Sequence, residues 1–131
     1  MRTIKFRAWH PDEGNMYYFN CFKEITDWQA DDFYRADNTD DACVDFMQFT
    51  GLHDKNGKGI YEGDIVRIPN DYELYGTNAG EAYEVYFAYG GFRLKPKYNS
   101  KARGYWLEDD NEIEIIGNIY ESKELLNETN R

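Results

Sequence analysis

Residues 46–68 decide the fold class: Phe46-Met47-Gln48-Phe49-Thr50-Gly51-Leu52-His53-Asp54-Lys55-Asn56-Gly57-Lys58-Gly59-Ile60-Tyr61-Glu62-Gly63-Asp64-Ile65-Val66-Arg67-Ile68. Short extended stretches alternate here with turn chemistry. Phe46 to Phe49 reads as a strand, and Asn56-Gly57 is the pair that favours a tight turn with positive φ at both central residues. Ile60-Tyr61 follows, and Glu62-Gly63-Asp64 bends the chain, with the Asp64 carboxylate placed to cap the bend. The β-branched run Ile65-Val66-Arg67-Ile68 is a strand that Pro69 closes. Asn56, Gly57, Ile60, Tyr61, Gly63 and Asp64 therefore read as structural residues, with Ile60, Ile65 and Val66 expected in the core.

The same grammar extends in both directions. Upstream, residues 2–9 alternate, with Ile4, Phe6 and Ala8 on one face and Arg2, Lys5 and Arg7 on or near the other. Pro11-Asp12-Glu13-Gly14 is turn chemistry, and Met16 to Phe22 returns as a second strand. Residues 23–47 show no lasting period and read as irregular, with one helical turn at most. Downstream, residues 69–80 read as a loop, Tyr83 to Tyr89 as a strand, Gly90-Gly91 as its turn, and Phe92 to Lys95 as the returning strand. Tyr105-Trp106-Leu107 and Ile113 to Tyr120 supply the last strands, with Gly117 a bend or bulge, and Glu121 to Leu126 a short helix. Short strands at this spacing predict a mainly β protein, a small antiparallel barrel or sandwich.

Composition agrees with a folded chain. Leu, Ile, Val and Phe number 26 of 131 residues and the formal charge is −10, close to the border of disorder. Twelve Tyr, eight Phe and three Trp move it back, since each aromatic buries roughly 150–250 Å². No apolar run reaches the ~20 residues of a bilayer span, and Met1 to Arg7 shows no signal-peptide pattern, so a cytoplasmic protein with no membrane role is expected. Cys21 and Cys43 are then reduced thiols in semi-buried positions. A pI near 4.6 disfavours nucleic acid as the main partner, because nonspecific affinity comes from cations displacing counterions.

Charge is unevenly placed. Seven Asp and one Arg lie between Asp27 and Asp45, so that stretch carries −6. Asp31, Asp32, Asp40 and Asp41 form either a solvated connection or a surface for a basic partner. Arg93, Lys95, Lys97, Lys101 and Arg103 make a basic stripe that the acids Glu108 to Glu114 follow. Cross-strand pairing with that acidic run explains it; contact with single-stranded nucleic acid, helped by Tyr98 and Tyr105, is the alternative.

Catalytic and metal chemistry find little support. A calcium loop counted from Asp54 places Lys58 among the ligands and Ile65 at the closing position, which defeats it. Glu62 and Asp64 could act as paired carboxylates of a hydrolase, a role outweighed by surface and cap roles. His10 and His53 flank turns without cysteines at zinc spacing. Neither Ser100 nor Ser122 lies in a nucleophile elbow, and no glycine-rich phosphate loop occurs.

The stretch from Gln48 to Val66 resembles the signature of the YopX family, small proteins encoded by bacteriophages and prophages. Ile4-Lys5-Phe6-Arg7-Ala8-Trp9 resembles that family's opening strand, and Ile113-Glu114-Ile115-Ile116-Gly117-Asn118-Ile119-Tyr120-Glu121 its closing motif. The resemblance implies an SH3-like small barrel in the C-terminal half, a β-rich N-terminal part, a short C-terminal helix, and no catalytic residue. The expected organisation is one domain over 1–131, with a hairpin and acidic irregular region at 1–45 and the barrel at 46–131. The expected function is that of a non-enzymatic accessory factor without cofactor, binding a host or phage protein or its own copies.

Overall fold

A computed structural model describes residues 3–28, 44–68, 81–95, 105–107 and 112–127. The chain forms two compact units, residues 1–49 and 50–131. It is mainly β, with nine strands among the described residues.

In the first unit, β1 (Phe6–His10) and β2 (Asn15–Phe19) form the expected hairpin, and β1 also pairs antiparallel with the first half of β3 (Asp45–His53). The hairpin turn closes through the Gly14 N–H, which donates to the His10 carbonyl at 2.8 Å, while His10 Nδ1 accepts from the Glu13 N–H at 3.2 Å. Helix α1 (Phe22–Asp27) follows β2. The core gathers Ala8, Phe19 and Val44 with Tyr17, Ile25 and Trp28 packed against them. The Trp28 ring lies 4.9 Å from Tyr17 and 5.1 Å from Phe19, distances at which aromatic pairs attract. Arg7, expected on a polar face, is buried, with Nε donating to the Met47 sulfur at 3.4 Å. The alternation is right, but both faces of β1 are covered here. Cys21 is exposed rather than semi-buried, standing at the start of α1 without capping it.

The second unit holds β4 (Gly59–Tyr61), β5 (Asp64–Arg67), β6 (Ala82–Ala88), β7 (Gly91–Leu94), β8 (Tyr105–Trp106), β9 (Glu114–Asn118) and a 3-10 helix at Lys123–Asn127. Five of these strands form an antiparallel sheet in the order β8-β7-β6-β5-β9. Four strands meander and the fifth returns beside the first. Ala82 to Glu84 of β6 pair with β5, and Val85 to Ala88 pair with β7. One strand is thus shared by two pairings along its length, which is how a small SH3-like half-barrel closes. Ile65 and Val66 are both fully buried although they point to opposite faces, so β5 is covered on both sides. Around it Ile60, Ile68, Tyr83, Val85, Leu94, Leu107 and Ile113 complete the core. Ile65 faces Gly117 and Val66 faces Ile115, leaving Ile116 extra: the expected bulge. The expected short closing helix is a 3-10 helix.

The loop from β3 to β4 differs from expectation. Asp54 accepts from the Gly57 N–H at 3.0 Å and donates to the Lys58 carbonyl at 2.8 Å. Only Gly57 has positive φ, at 82°, so this is a three-residue connection ending in a left-handed glycine. The two-residue turn with both φ positive occurs instead between β6 and β7, at Tyr89 (φ 54°) and Gly90 (φ 82°), and Gly91 belongs to β7. A Cβ at Gly57 meets nothing within 4 Å, so a substitution there acts through the backbone alone. Gly57→Val is expected to lower stability by about 1 kcal/mol or more in urea unfolding. Unchanged stability would mean the loop adopts another conformation without loss.

Candidate functional site

The outer face of β6, β7 and β8 is where exposed aromatics and cations meet. Leu94, Val85 and Leu107 are buried, so the strand alternation turns Arg93, Tyr86 and Trp106 to the opposite face. Arg93 pairs across the sheet with both Tyr86 and Trp106. Its guanidinium carbon stands 4.0 Å from the Trp106 ring centroid and 5.5 Å from that of Tyr89. Its Nε donates to the Ala88 carbonyl at 3.0 Å. Such a stack contributes about 1–2 kcal/mol where water is partly excluded, and Arg93 is only 8% exposed.

Gly91 completes the seat of Trp106. A Cβ at that position would lie 2.2 Å from the indole Cζ3, so the ring rests where only glycine leaves room. Trp106 remains 50% exposed and Tyr89 62% exposed. The indole is held from beneath and open to solvent above. Beside it, Lys95 Nζ lies 4.0 Å from Glu84 Oε1 and 6.0 Å from the Tyr86 ring centroid. Burial pushes the Tyr86 hydroxyl up from its ordinary pKa, with Tyr89 and Glu84 adding to the rise and Arg93 opposing it.

Of the expected surface residues, this face unites Arg93 and Lys95, but changes their roles. Arg93 is committed to two rings and a carbonyl instead of standing free as part of a phosphate-binding stripe. Lys95 meets Glu84, and Glu114 meets Lys55 at 3.7 Å; Lys101 and Arg103 of the stripe and Glu108, Asp109 and Asp110 of the acidic run lie outside the described residues. Lys97, Asp31, Asp32, Asp40 and Asp41 lie outside the described residues. Trp106, Tyr89 and Tyr86 were not singled out by their sequence context. The usable signal was parity: an inward Leu107 requires an outward Trp106.

A protein-family model described as YopX protein matches residues 5–127. The chain belongs to the YopX family. It is also similar to a solved structure, protein EF1440 from Enterococcus faecalis, at 28% sequence identity and a TM-score of 0.60, covering 96% of this chain and 99% of that one. No curated protein matches it.

The YopX signature itself is occupied by structure. Asp54 Oδ1 accepts from the N–H groups of Asn56 and Lys58, both at 2.9 Å, and Oδ2 from that of Ile115 at 3.1 Å. Burial alone would push this carboxyl up, but the Ile115, Lys58 and Asn56 N–H groups and the Lys58 ammonium outweigh it and hold Asp54 below the usual aspartate value. Asp64 Oδ2 accepts from the Tyr61 N–H at 2.8 Å across the Glu62-Gly63 bend, as a cap does. Gly63 donates to the Val85 carbonyl and accepts from the Ile119 N–H, both at 2.8 Å, tying β5 to its two neighbours. In the closing motif, Asn118 Oδ1 accepts from the N–H groups of Tyr120 and Glu121, both at 2.9 Å. Among the described residues no group of three His, Cys, Asp or Glu side chains is placed to hold a metal ion, and no helix is long and apolar enough to cross a membrane.

Proposed function

We propose that this YopX-family protein is a non-enzymatic binding module, a phage or prophage accessory factor working in the bacterial cytoplasm, and that its partner is a host or phage protein held on the outer face of β6, β7 and β8. The observation that carries this reading is the half-exposed Trp106 seated on Gly91 and Arg93. A large ring already fixed in the free protein loses little conformational freedom on binding, which is what makes rigid aromatics dominate interfaces. The sequence segments with the strongest family likeness are engaged in turns and caps, so they leave recognition to this face.

The test is co-purification from the host bacterium with the wild-type chain and with the double variant Tyr89→Ala, Trp106→Ala, both checked for unchanged circular dichroism. Loss of the partner in the variant is expected. Retention at wild-type yield would overturn the reading. Light scattering of the purified chain separates self-association, in which the same substitutions shift the mass, from a foreign partner.

Nucleic acid is a poor fit to the same face. Its most central cation, Arg93, is committed internally, Lys95 has a carboxylate neighbour, and the chain carries −10 overall. No shift of single- or double-stranded DNA is expected at micromolar protein and ~150 mM salt, where screening acts over roughly 8 Å. Retention of DNA that Lys95→Ala abolishes would replace the protein partner with a nucleic acid.

A further inference from the structure

Asn56-Gly57 is the single Asn-Gly pair in the chain, and it carries chemistry besides its turn. In such a pair the glycine nitrogen can attack the asparagine Cγ, because no side chain on the glycine obstructs the five-membered ring that forms. Asn56 is exposed, and a Cβ built on Gly57 would meet nothing within 4 Å, so both the ring and water have room. The folded loop nevertheless holds the pair out of reaction. The Gly57 N–H, whose nitrogen is the nucleophile, donates to the Asp54 carbonyl at 3.0 Å. The N–H groups of Asn56 and Lys58, on either side of it, both donate to Asp54 Oδ1 at 2.9 Å. One residue thus fixes the backbone before, at and after the reacting nitrogen. Cyclisation needs the Gly57 N–H released and the Asn56 side chain swung over it, and both require the loop to leave Asp54.

We propose that Asn56 is a self-modification site gated by Asp54: on local opening of the loop it cyclises with Gly57 and reopens as isoaspartate, after which the loop no longer closes on Asp54. The first step forms a bond from the Gly57 nitrogen to Asn56 Cγ and breaks the bond from Cγ to Nδ2. The Gly57 proton goes to solvent base, and the side-chain nitrogen leaves as ammonia. Water then adds to the Asn56 main-chain carbonyl carbon and breaks its bond to the Gly57 nitrogen, so the chain continues through Cβ and Cγ and the old carbonyl becomes a free carboxylate. Nothing is oxidised or reduced, and water is the sole co-reactant. The product has one extra methylene in its main chain between the Asn56 and Lys58 N–H groups, which both need the same Asp54 oxygen. It also sets a new carboxylate beside that of Asp54, and like charges this close repel. Asp54 also accepts from the Ile115 N–H at 3.1 Å, so the change loosens the junction between this loop and β9. The site is independent of the docking face on β6, β7 and β8.

The experiment incubates the full chain at mildly alkaline pH in water enriched in heavy oxygen and follows Asn56 by peptide mass spectrometry, which reads one heavy oxygen gained for each ammonia lost. Folded wild type should react about tenfold or more slowly than the urea-denatured chain, because only the opened loop reacts. Asp54→Ala, measured where Trp fluorescence shows it folded, should react at least about threefold faster than folded wild type. Should that variant not fold, wild type in urea below its transition carries the test: an opening confined to the loop exposes little surface, so the rate should rise only weakly with urea. Isoaspartate-containing protein, separated by ion exchange, should have a lower urea midpoint than wild type, whereas Asn56→Asp, which adds the charge without the methylene, should lose less. Equal rates in the folded and denatured chains, or no reaction at Asn56 in the denatured chain, would overturn the proposal. A rate in folded wild type that climbs with urea in step with global unfolding would remove the gate from Asp54. An isoaspartate product as stable as the unmodified chain would show that the loop closes again, and would overturn the structural consequence.

Discussion

Asp54→Ala is expected to destabilise the second unit by about 3 kcal/mol or more, since a donor left unsatisfied in the interior costs roughly 1–3 kcal/mol and three backbone N–H groups lose their acceptor together. Asp54 is 5% exposed, so water does not readily take over. Its two oxygens fasten the turn after β3 to the start of β9, and the Lys55 N–H reinforces the junction by donating to the Ile113 carbonyl at 2.8 Å. Asp54→Asn should cost less, because one amide oxygen still accepts while the amide NH2 confronts a donor. The comparison also has a pH signature. Asp54 is held below its ordinary value when folded, so the stabilisation from its charge is complete above the unfolded value of about 3.9. It is lost as pH falls through the lower folded value. Urea midpoints should therefore show the gap between wild type and Asp54→Asn narrowing from about pH 4 downward. A gap independent of pH would show that the carboxylate charge contributes nothing at this junction.

Asp54 also shows why some of the architecture was legible in the sequence and some was not. The turn glycine, the β-branched strand and the cap at Asp64 are local decisions, each made by neighbours a few residues away. Asp54 looked like part of a failed calcium loop because its decisive partner, Ile115, is 61 residues distant. Turn chemistry was similarly ambiguous. Gly90-Gly91 permits either glycine to take the corner, and nothing local places Tyr89 at positive φ, which side chains resist. The register of β6 against β7 decides it. At the candidate site, the cations Arg93 and Lys95 were visible as a stripe, but their meaning depends on which aromatics cross the sheet beside them. Tyr86 and Trp106 come from segments on either side of Arg93 and meet it only through strand pairing. A reading based on adjacent residues therefore saw charge where the folded sheet presents aromatic surface.

Gly117→Val should be the other large loss, about 3 kcal/mol, with Gly117→Ala at about 2 kcal/mol, in the range for overfilling a packed site. The cause is space alone. Gly117 does not take a left-handed conformation, yet a Cβ there would lie 2.6 Å from both Cβ and Oγ of Ser122 and 3.2 Å from Leu125 Cδ1. Leu125 can turn aside, but Ser122 is pinned: its N–H donates to the Asn118 carbonyl and its own carbonyl accepts from the Leu125 N–H, both at 2.9 Å. Gly117 itself faces Ile65 at the bulge, so the chain cannot retreat without disturbing the most buried strand. Relief from a smaller unfolded ensemble, about 0.4–1 kcal/mol for a glycine replacement, does not offset a contact this short. A double-mutant cycle isolates the effect. Ser122→Gly removes both clashing atoms, so Gly117→Ala should cost at least about 1 kcal/mol less in the Ser122→Gly background than in the wild type. Equal costs in the two backgrounds would mean that the 3-10 helix moves off β9 freely, and that the closing motif needs its glycine for the bulge and not for the helix seated on it.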